Sequence, residues 1–516
     1  MYCSMKKSIA FLMGVASLFV FTGCAVQPRA ILHDQAMKRA SEDMDILSHE
    51  QEAPTHPVTL YEAMARAIRY NRERRVKVLE TALSQHQFDL SQFDMLPKLT
   101  TQAGYTGRNP GPASYSESIK TGNVSLEPSK SQDADRRVSD VTFTWNILDF
   151  GLSYIRANQQ ANRHLIALEK ERKAVQILIS DVRRAWWEAL SAQRLLKDIA
   201  PLEKRVLQAL EVSRTVETKR LKNPLEALDH QRSLLQTLRT LQALKQDFSG
   251  IKARLATLMG LSKPGNLVLA DPAFTSPLPR IHWELDTMER AALVLRPELN
   301  QAQYQQDISR QDVHAALLGV LPNVSLNAGL NWDSNSYLID NSWLSYGTQI
   351  SWNLFNVLRA PEALKAAEAK QDIAREQRLA ISMVTLMQVH LALADHMDAR
   401  TFYTLSRDYL QVQTRILKQV QARAGNTQGQ AKLIQEELNF IVSQVRRDKA
   451  YAKVQDSFGR LLISMGIDPV PAQGNLGDID ALARGIKEHE AAWLEKDLKA
   501  YVAPILTQNP GNSDDA

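Results

Sequence analysis

Covalent chemistry has few candidates in this sequence. Two cysteines, Cys3 and Cys24, and eleven histidines are present. A zinc hydrolase of the His-Glu-x-x-His type needs its second histidine four residues after the first, on the same helix face. His489-Glu490 has Trp493 at that place, so the pair reads as part of a solvated helix face. No Gly-rich loop runs into Lys-Ser or Lys-Thr to cradle a phosphate. No Gly-x-Ser-x-Gly elbow presents a nucleophile. The chain is read as a non-enzyme, with no cofactor and no metal site.

What remains is Cys24. Lys6-Lys7 makes a basic start and Ile9 to Phe21 an apolar run too short for a membrane span, so residues 1–23 read as a signal peptide. Cys3 leaves with it. Cys24 is then the single mature cysteine, and no disulfide, cysteine-based metal site or thiol nucleophile is available. The ending Phe21-Thr22-Gly23-Cys24 resembles a bacterial lipobox, with Phe21 where Leu is usual. That resemblance implies lipidation of Cys24, palmitate included. Ala25, where an Asp would imply retention at the inner membrane, points to the outer membrane. Ordinary cleavage near Ala25 is the alternative.

The elements that would carry a function are strands and very long helices. In 321–333 Val324, Leu326, Ala328, Leu330 and Trp332 alternate with Ser325, Asn327, Gly329, Asn331 and Asp333. Period two gives a strand with one apolar and one small polar face. Leu344, Tyr346, Thr348, Ile350 and Trp352 repeat the pattern after a loop, giving strands of about ten residues, the length that crosses a bilayer when tilted. Leu96-Pro97-Lys98-Leu99 opens a twin of Leu321-Pro322-Asn323-Val324, and Trp145-Asn146 matches Trp352-Asn353. The spacing implies two fused copies of one unit.

Repeat 1 is placed at 57–261, with a helix from Thr59 to about Met95, strands at about 97–107 and 138–148, and a turn at Asp149-Phe150-Gly151. A helical hairpin at 153–260 follows. Repeat 2 is placed at 285–468, with strands at about 322–333 and 344–354 and a hairpin at 361–466 opened by Pro361 in its first turn. A Pro-rich linker, 262–284, separates them. Residues 24–56 form an N-terminal segment, and 469–516 hold one helix and a disordered tail. From Ser153 to Asn223 there is no Gly and only Pro201. Leu195, Ile199, Leu202, Val206 and Ala209 step by four and three, a heptad seam. About 70 helical residues make a rod of roughly 105 Å. Asn223, Gly425 and Gly429 mark the turns at the far ends.

Two copies of helix, Leu-Pro-x-Leu strand, Trp-Asn strand, very long helix and returning helix resemble the TolC-like outer-membrane efflux channel family over about 57–468. The lipobox resembles its lipoprotein branch. The resemblance implies a mainly α fold with a β part. Long antiparallel coiled-coil hairpins form an α-barrel in the periplasm, and four strands per chain join a trimeric twelve-stranded barrel in outer-membrane lipid. A periplasmic adaptor protein and an inner-membrane pump are the implied partners. Four strands cannot close a barrel alone, so an open edge in lipid would leave backbone groups unpaired. Trp145, Trp332, Trp343, Trp352, Tyr105 and Tyr346 suit a lipid face and interfacial girdle. Against a family tip motif of the form Arg-x-x-x-Gly-(Leu)-x-x-x-Leu-Asp, which marks the adaptor-binding turn, Lys219 stands for the Arg and Asn223 for the Gly, Leu228-Asp229 match, and Leu225 is the apolar residue beside the turn. The second tip has Gly429 but Ile434-Gln435 in place of Leu-Asp. Arg415, Lys418 and Arg423 stand where some relatives carry an acidic ring.

Lys plus Arg number 62 against 57 Asp plus Glu, a net +5 with both signs mixed along the helices. That leaves no nucleic-acid footprint. The function expected is the exit duct of a tripartite efflux system. A duct for one-step (type I) protein secretion has the same fold, and a coiled-coil lipoprotein without a channel is the third class.

Overall fold

The computed structural model describes residues 28–49, 51, 54–219, 224–262, 267–272, 278, 281–423, 427–471 and 477–495. The chain divides into two units, 1–53 and 54–516. In the first, helix α1 (His33–His49) buries no residue and leaves Met37, Met44 and Leu47 exposed.

The second unit starts with two short helices, α2 (Leu60–Tyr70) and α3 (Arg72–Phe93). The continuous helix expected from Thr59 is broken at Asn71. The Asn71 N–H closes α2 on Ala67 O, and its side-chain oxygen accepts from Arg74 N–H at 3.0 Å, capping α3. Thr59 opens α2 in the same way, accepting from Glu62 N–H. Strands β1 (Lys98–Gly107) and β2 (Asp135–Asn146) follow. The 107–137 loop contains two antiparallel bridges of its own, Ser114 with Ser129 and Glu117 with Val124.

Helix α4 (Ile147–Thr218) leaves β2 without a turn. Asn146 caps it by accepting from Asp149 N–H at 3.0 Å. Asp149, Phe150 and Gly151 are therefore the first turn of a helix, not a reversal of the chain. Pro201 lies on the exposed side and α4 runs through it. Helix α5 (Pro224–Leu258) returns. Its buried residues Leu234, Leu241, Phe248 and Leu255 are seven apart; the first three share a cluster with Leu195, Ile199, Leu202, Val206 and Leu210 of α4, and Leu255 joins the one around Val182 and Trp186.

The element order then recurs: α6 (Leu285–Leu295), α7 (Pro297–Leu318), β3 (Asn323–Asp333), β4 (Ser342–Ser351), α8 (Leu354–Arg423) and α9 (Thr427–Ser464). Pro361 is inside α8, not in its first turn, because Asn353 already starts the helix by accepting from Phe355 N–H at 3.1 Å. Helix α10 (Ile479–Glu495) ends the described chain.

Gly260 and Gly466 end α5 and α9 with φ of +76° and +75°. After each, the chain donates back five residues, Leu261 N–H to Ala256 O and Ile467 N–H to Leu462 O. A Cβ on Gly260 would lie 2.7 Å from Tyr70 O, and one on Gly466 2.5 Å from the Leu295 carbonyl carbon. Each helix end is thus seated on the break between a pair of short helices.

Candidate channel wall and hairpin ends

The four strands form one antiparallel sheet in the order β1-β2-β3-β4. Residues directly opposite in antiparallel strands project to the same side. Leu99 faces Phe143, Phe143 faces Ala328, and Ala328 faces Tyr346. Val141, Leu330 and Leu344 make a second row, and Trp145, Leu326 and Thr348 a third. The other side carries Thr142 with Gly329 and Ser345, and Thr144 with Asn327 and Gly347. Separately written alternations therefore combine into one apolar and one polar face across the whole sheet. The outer edges of β1 and β4 have no strand partner among the described residues, and every residue of these two strands is exposed.

Trp145, Trp332, Tyr105 and Tyr346 lie on the apolar face. Trp343 does not. It pairs with Asn331, so its position belongs to the polar face. Trp352 follows β4 and donates its indole N–H to Val320 O at 2.9 Å.

Beyond the strand ends the two loops are stitched together, a feature without a signature in the sequence. The Asp133 carboxylate accepts from Ser336 N–H at 2.6 Å and from its hydroxyl at 2.9 Å, which holds its pKa below the usual carboxylate range. Asn335, 4% exposed, accepts from Asp133 N–H and donates to Ser131 O. Arg136 pairs with Asp333 at 3.0 Å.

At the opposite end of α4, Lys219 is the C-cap residue and donates its N–H to Thr215 O at 3.0 Å. Asn223 lies outside the described residues, as do Gly425 and Cys24. Helix α5 resumes at Pro224, where a missing N–H costs nothing. Leu225 is 65% and Leu228 47% exposed, two apolar side chains held out beside the turn. Asp229 is paired with Arg232 at 3.0 Å along its own helix. Gly429 sits in the first turn of α9.

Midway along α4, side chains bind it to the rest of the chain. Arg183 and Glu490 of α10 make two hydrogen bonds of 3.0 and 2.6 Å. Burial works against the Arg183 charge, but the Glu490 carboxylate outweighs it and holds the pKa above the usual arginine value. Tyr61, beside this pair, is pushed up to about 12 by burial and by Glu490. Glu490 thus lies at an ion-paired interface, not on a solvated face. Trp186 donates its indole N–H to Val58 O at 3.2 Å, and Trp187 stacks edge-on against Tyr451 of α9. Among the described residues no cluster of His, Cys, Asp and Glu could hold a metal ion.

The chain thus combines long paired helices with a four-stranded sheet that has one apolar face. Residues 290–428, which include α7, β3, β4 and α8, match the family described as outer membrane efflux protein. Over that stretch the chain is similar to the outer membrane efflux proteins. Its fold is that of solved channels. The Campylobacter jejuni CmeC outer membrane channel superposes with a TM-score of 0.63 at 13% identity, covering 90% of this chain and 93% of CmeC. The outer-membrane channel OprN gives 0.59 at 18% identity, covering 79% and 89%. CusC, solved in work on folding and transmembrane channel formation, gives 0.60 at 17% identity, covering 82% and 96%. No curated protein matches the sequence.

Proposed function

We propose that three copies of this chain close a twelve-stranded outer-membrane barrel, continued by the paired helices as a periplasmic tunnel. In this reading it is the exit duct of a tripartite efflux system, passing small molecules onward from a pump and a periplasmic adaptor protein. The observation that carries the reading is the sheet: four strands of 10 to 12 residues, one apolar face, and two open edges that lipid would not tolerate. The apolar face with Trp145, Trp332, Tyr105 and Tyr346 meets lipid, and the polar face with Trp343 lines the lumen. The recurring element order supports an origin in two copies of one unit. Cys24 carries the lipid anchor, and Leu225 and Leu228 at the start of α5 dock the adaptor, with the second tip, Gly425 and Gly429, as their counterpart.

The test is made on the detergent-extracted protein. It should have the mass of three chains and conduct ions in planar bilayers, and a non-conducting monomer would end the reading. Deleting the gene should leave small exported compounds inside the cell. Loss of one secreted protein with normal small-molecule export would move the assignment to one-step secretion. Leu225→Glu should give a conducting trimer that fails in export; normal export would remove Leu225 from the docking surface. Cys24→Ala should abolish labelling by a fatty-acid analogue.

A further inference from the structure

From Tyr409 to Ile434 the chain carries Arg415, Lys418, Arg423 and Lys432 and no acidic residue. The end of the first hairpin is balanced: Arg214, Lys219, Arg220 and Lys222 stand among Glu211, Glu217, Glu226 and Asp229. The basic stretch borders a groove of about 540 Å³ between the last turns of α8 and the first turns of α9. Val412, Ile416 and Val420 give it an apolar side, and Arg415, Arg423 and Lys432 line it with charge. Glu436 is the acid among the lining residues. Its carboxylate accepts from Gln413 at 2.6 Å and Asn439 at 3.3 Å, both uncharged. None of the three cations meets a carboxylate among the described residues, whereas Arg205, on α4, is paired with Glu437 at 2.6 Å.

Helix-end electrostatics do not account for this cluster. A cation in the last turn of α8 complements the helix dipole, and Arg423 is so placed. Arg415 and Lys418 lie further back, and Lys432 lies near the start of α9, where the dipole gives a cation no stabilisation. Three like charges lining one groove raise the energy of the free protein unless an anion joins them. Around a shared opening, three such clusters would concentrate anions at the entrance.

We propose that the end of the second hairpin is an anion-collecting mouth. The groove takes the acidic group of an organic anion against Arg415, Arg423 and Lys432, with its carbon body along Val412, Ile416 and Val420. The solutes favoured by this duct are therefore anionic. The proposal rests on the trimeric duct of the preceding section.

The test is the reversal potential of the full-length protein in planar bilayers under a KCl gradient. Wild type should pass chloride in preference to potassium. The triple variant Arg415→Gln, Arg423→Gln, Lys432→Gln should lose that preference, and Arg415→Glu with Lys432→Glu should turn it toward potassium. The substituted side chains are exposed, so trimer mass and helical content should stay unchanged. Decanoate should block wild type more strongly than acetate, and Val412→Ser with Ile416→Ser should remove the difference. Potassium preference in wild type, no preference, or a triple variant with an unchanged reversal potential would overturn the proposal while leaving the duct intact. Absence of any conductance would overturn the duct and this inference together.

Discussion

Helices α4 and α8 are almost the same length, 72 and 70 residues, and differ in what surrounds them. Helix α4 packs against α5, α7 and α9 and, at its middle, against α2 and α10. It buries Trp186, Leu190, Leu195, Ile199 and Leu202 almost completely. Helix α8 packs mainly on α6, α7 and α9 of its own half. What it buries is mostly small or polar, including Ala367, Ala374, Thr385, His396 and Gln413. Its large apolar residues Met383, Met387 and Leu391 project outward at four-residue spacing, along with Leu358 and Ile373. One long helix is the core of the chain and the other its border. A border helix with an apolar stripe is incomplete alone, which agrees with the two open edges of the sheet.

The sharpest break of the contrast is Arg183→Gln. It strands the Glu490 carboxylate at a buried contact and should cost about 3–5 kcal/mol, whereas Arg183→Met with Glu490→Leu should recover most of the loss. Urea melts of the three proteins measure this. Next, Leu241→Ala in the α4–α5 seam should lower stability by about 2–5 kcal/mol. Leu391→Ala on α8 should change the dissociated chain by no more than about 0.5 kcal/mol, yet weaken the oligomer in a dilution series of sedimentation runs. If Leu391→Ala destabilises the separated chain as much as Leu241→Ala does, α8 is no border.

Gly466→Ala sharpens the comparison between the halves. It combines a left-handed backbone cost of about 1–2 kcal/mol with a Cβ driven into the Leu295 carbonyl carbon. Gly260→Ala should behave alike against Tyr70, and thermal melts should place the two variants close together.

The smallest effect is a pH dependence of the α4–α9 seam. Burial raises the pKa of Asp448, with Arg447 opposing, and burial likewise raises Glu188. A carboxyl whose folded pKa exceeds its unfolded value of about 3.9 stabilises fully below that value and loses its contribution as pH rises through the folded pKa. Asp448→Asn should therefore flatten the stability profile above about pH 4, by under about 1 kcal/mol. A profile identical to wild type would assign the slope elsewhere.

Much of this architecture is legible in residue order because its periods are local. Alternation wrote β3 and β4, their repeat wrote β1 and β2, and the heptad seam of α4 wrote the first rod. Parity would also have placed Trp343, which shares the odd register of Ser345 and Gln349; a reading by aromatic character alone put it with Trp332. Pro361 and Asn71 mislead because a cap decides a helix boundary over a proline or a continuous apolar period. The Arg183–Glu490 pair and the Asp133–Asn335–Ser336 stitching join residues hundreds of positions apart, and no local pattern announces them. The basic groove lay between these cases: its charges were visible, but their shared cleft was not.

The pairing of β2 with β3 also sets a clock. Val138 meets Asp333 and Asn146 meets Ser325, so the sheet joins strands nearly 200 residues apart. At about 5–20 residues per second of synthesis, that gap lasts roughly 10–40 s. Through that interval the first hairpin exists with the β2 edge unpaired and an apolar face uncovered. Safe delivery of this chain therefore depends on something that shields a half-finished hairpin for the time its second half takes to arrive.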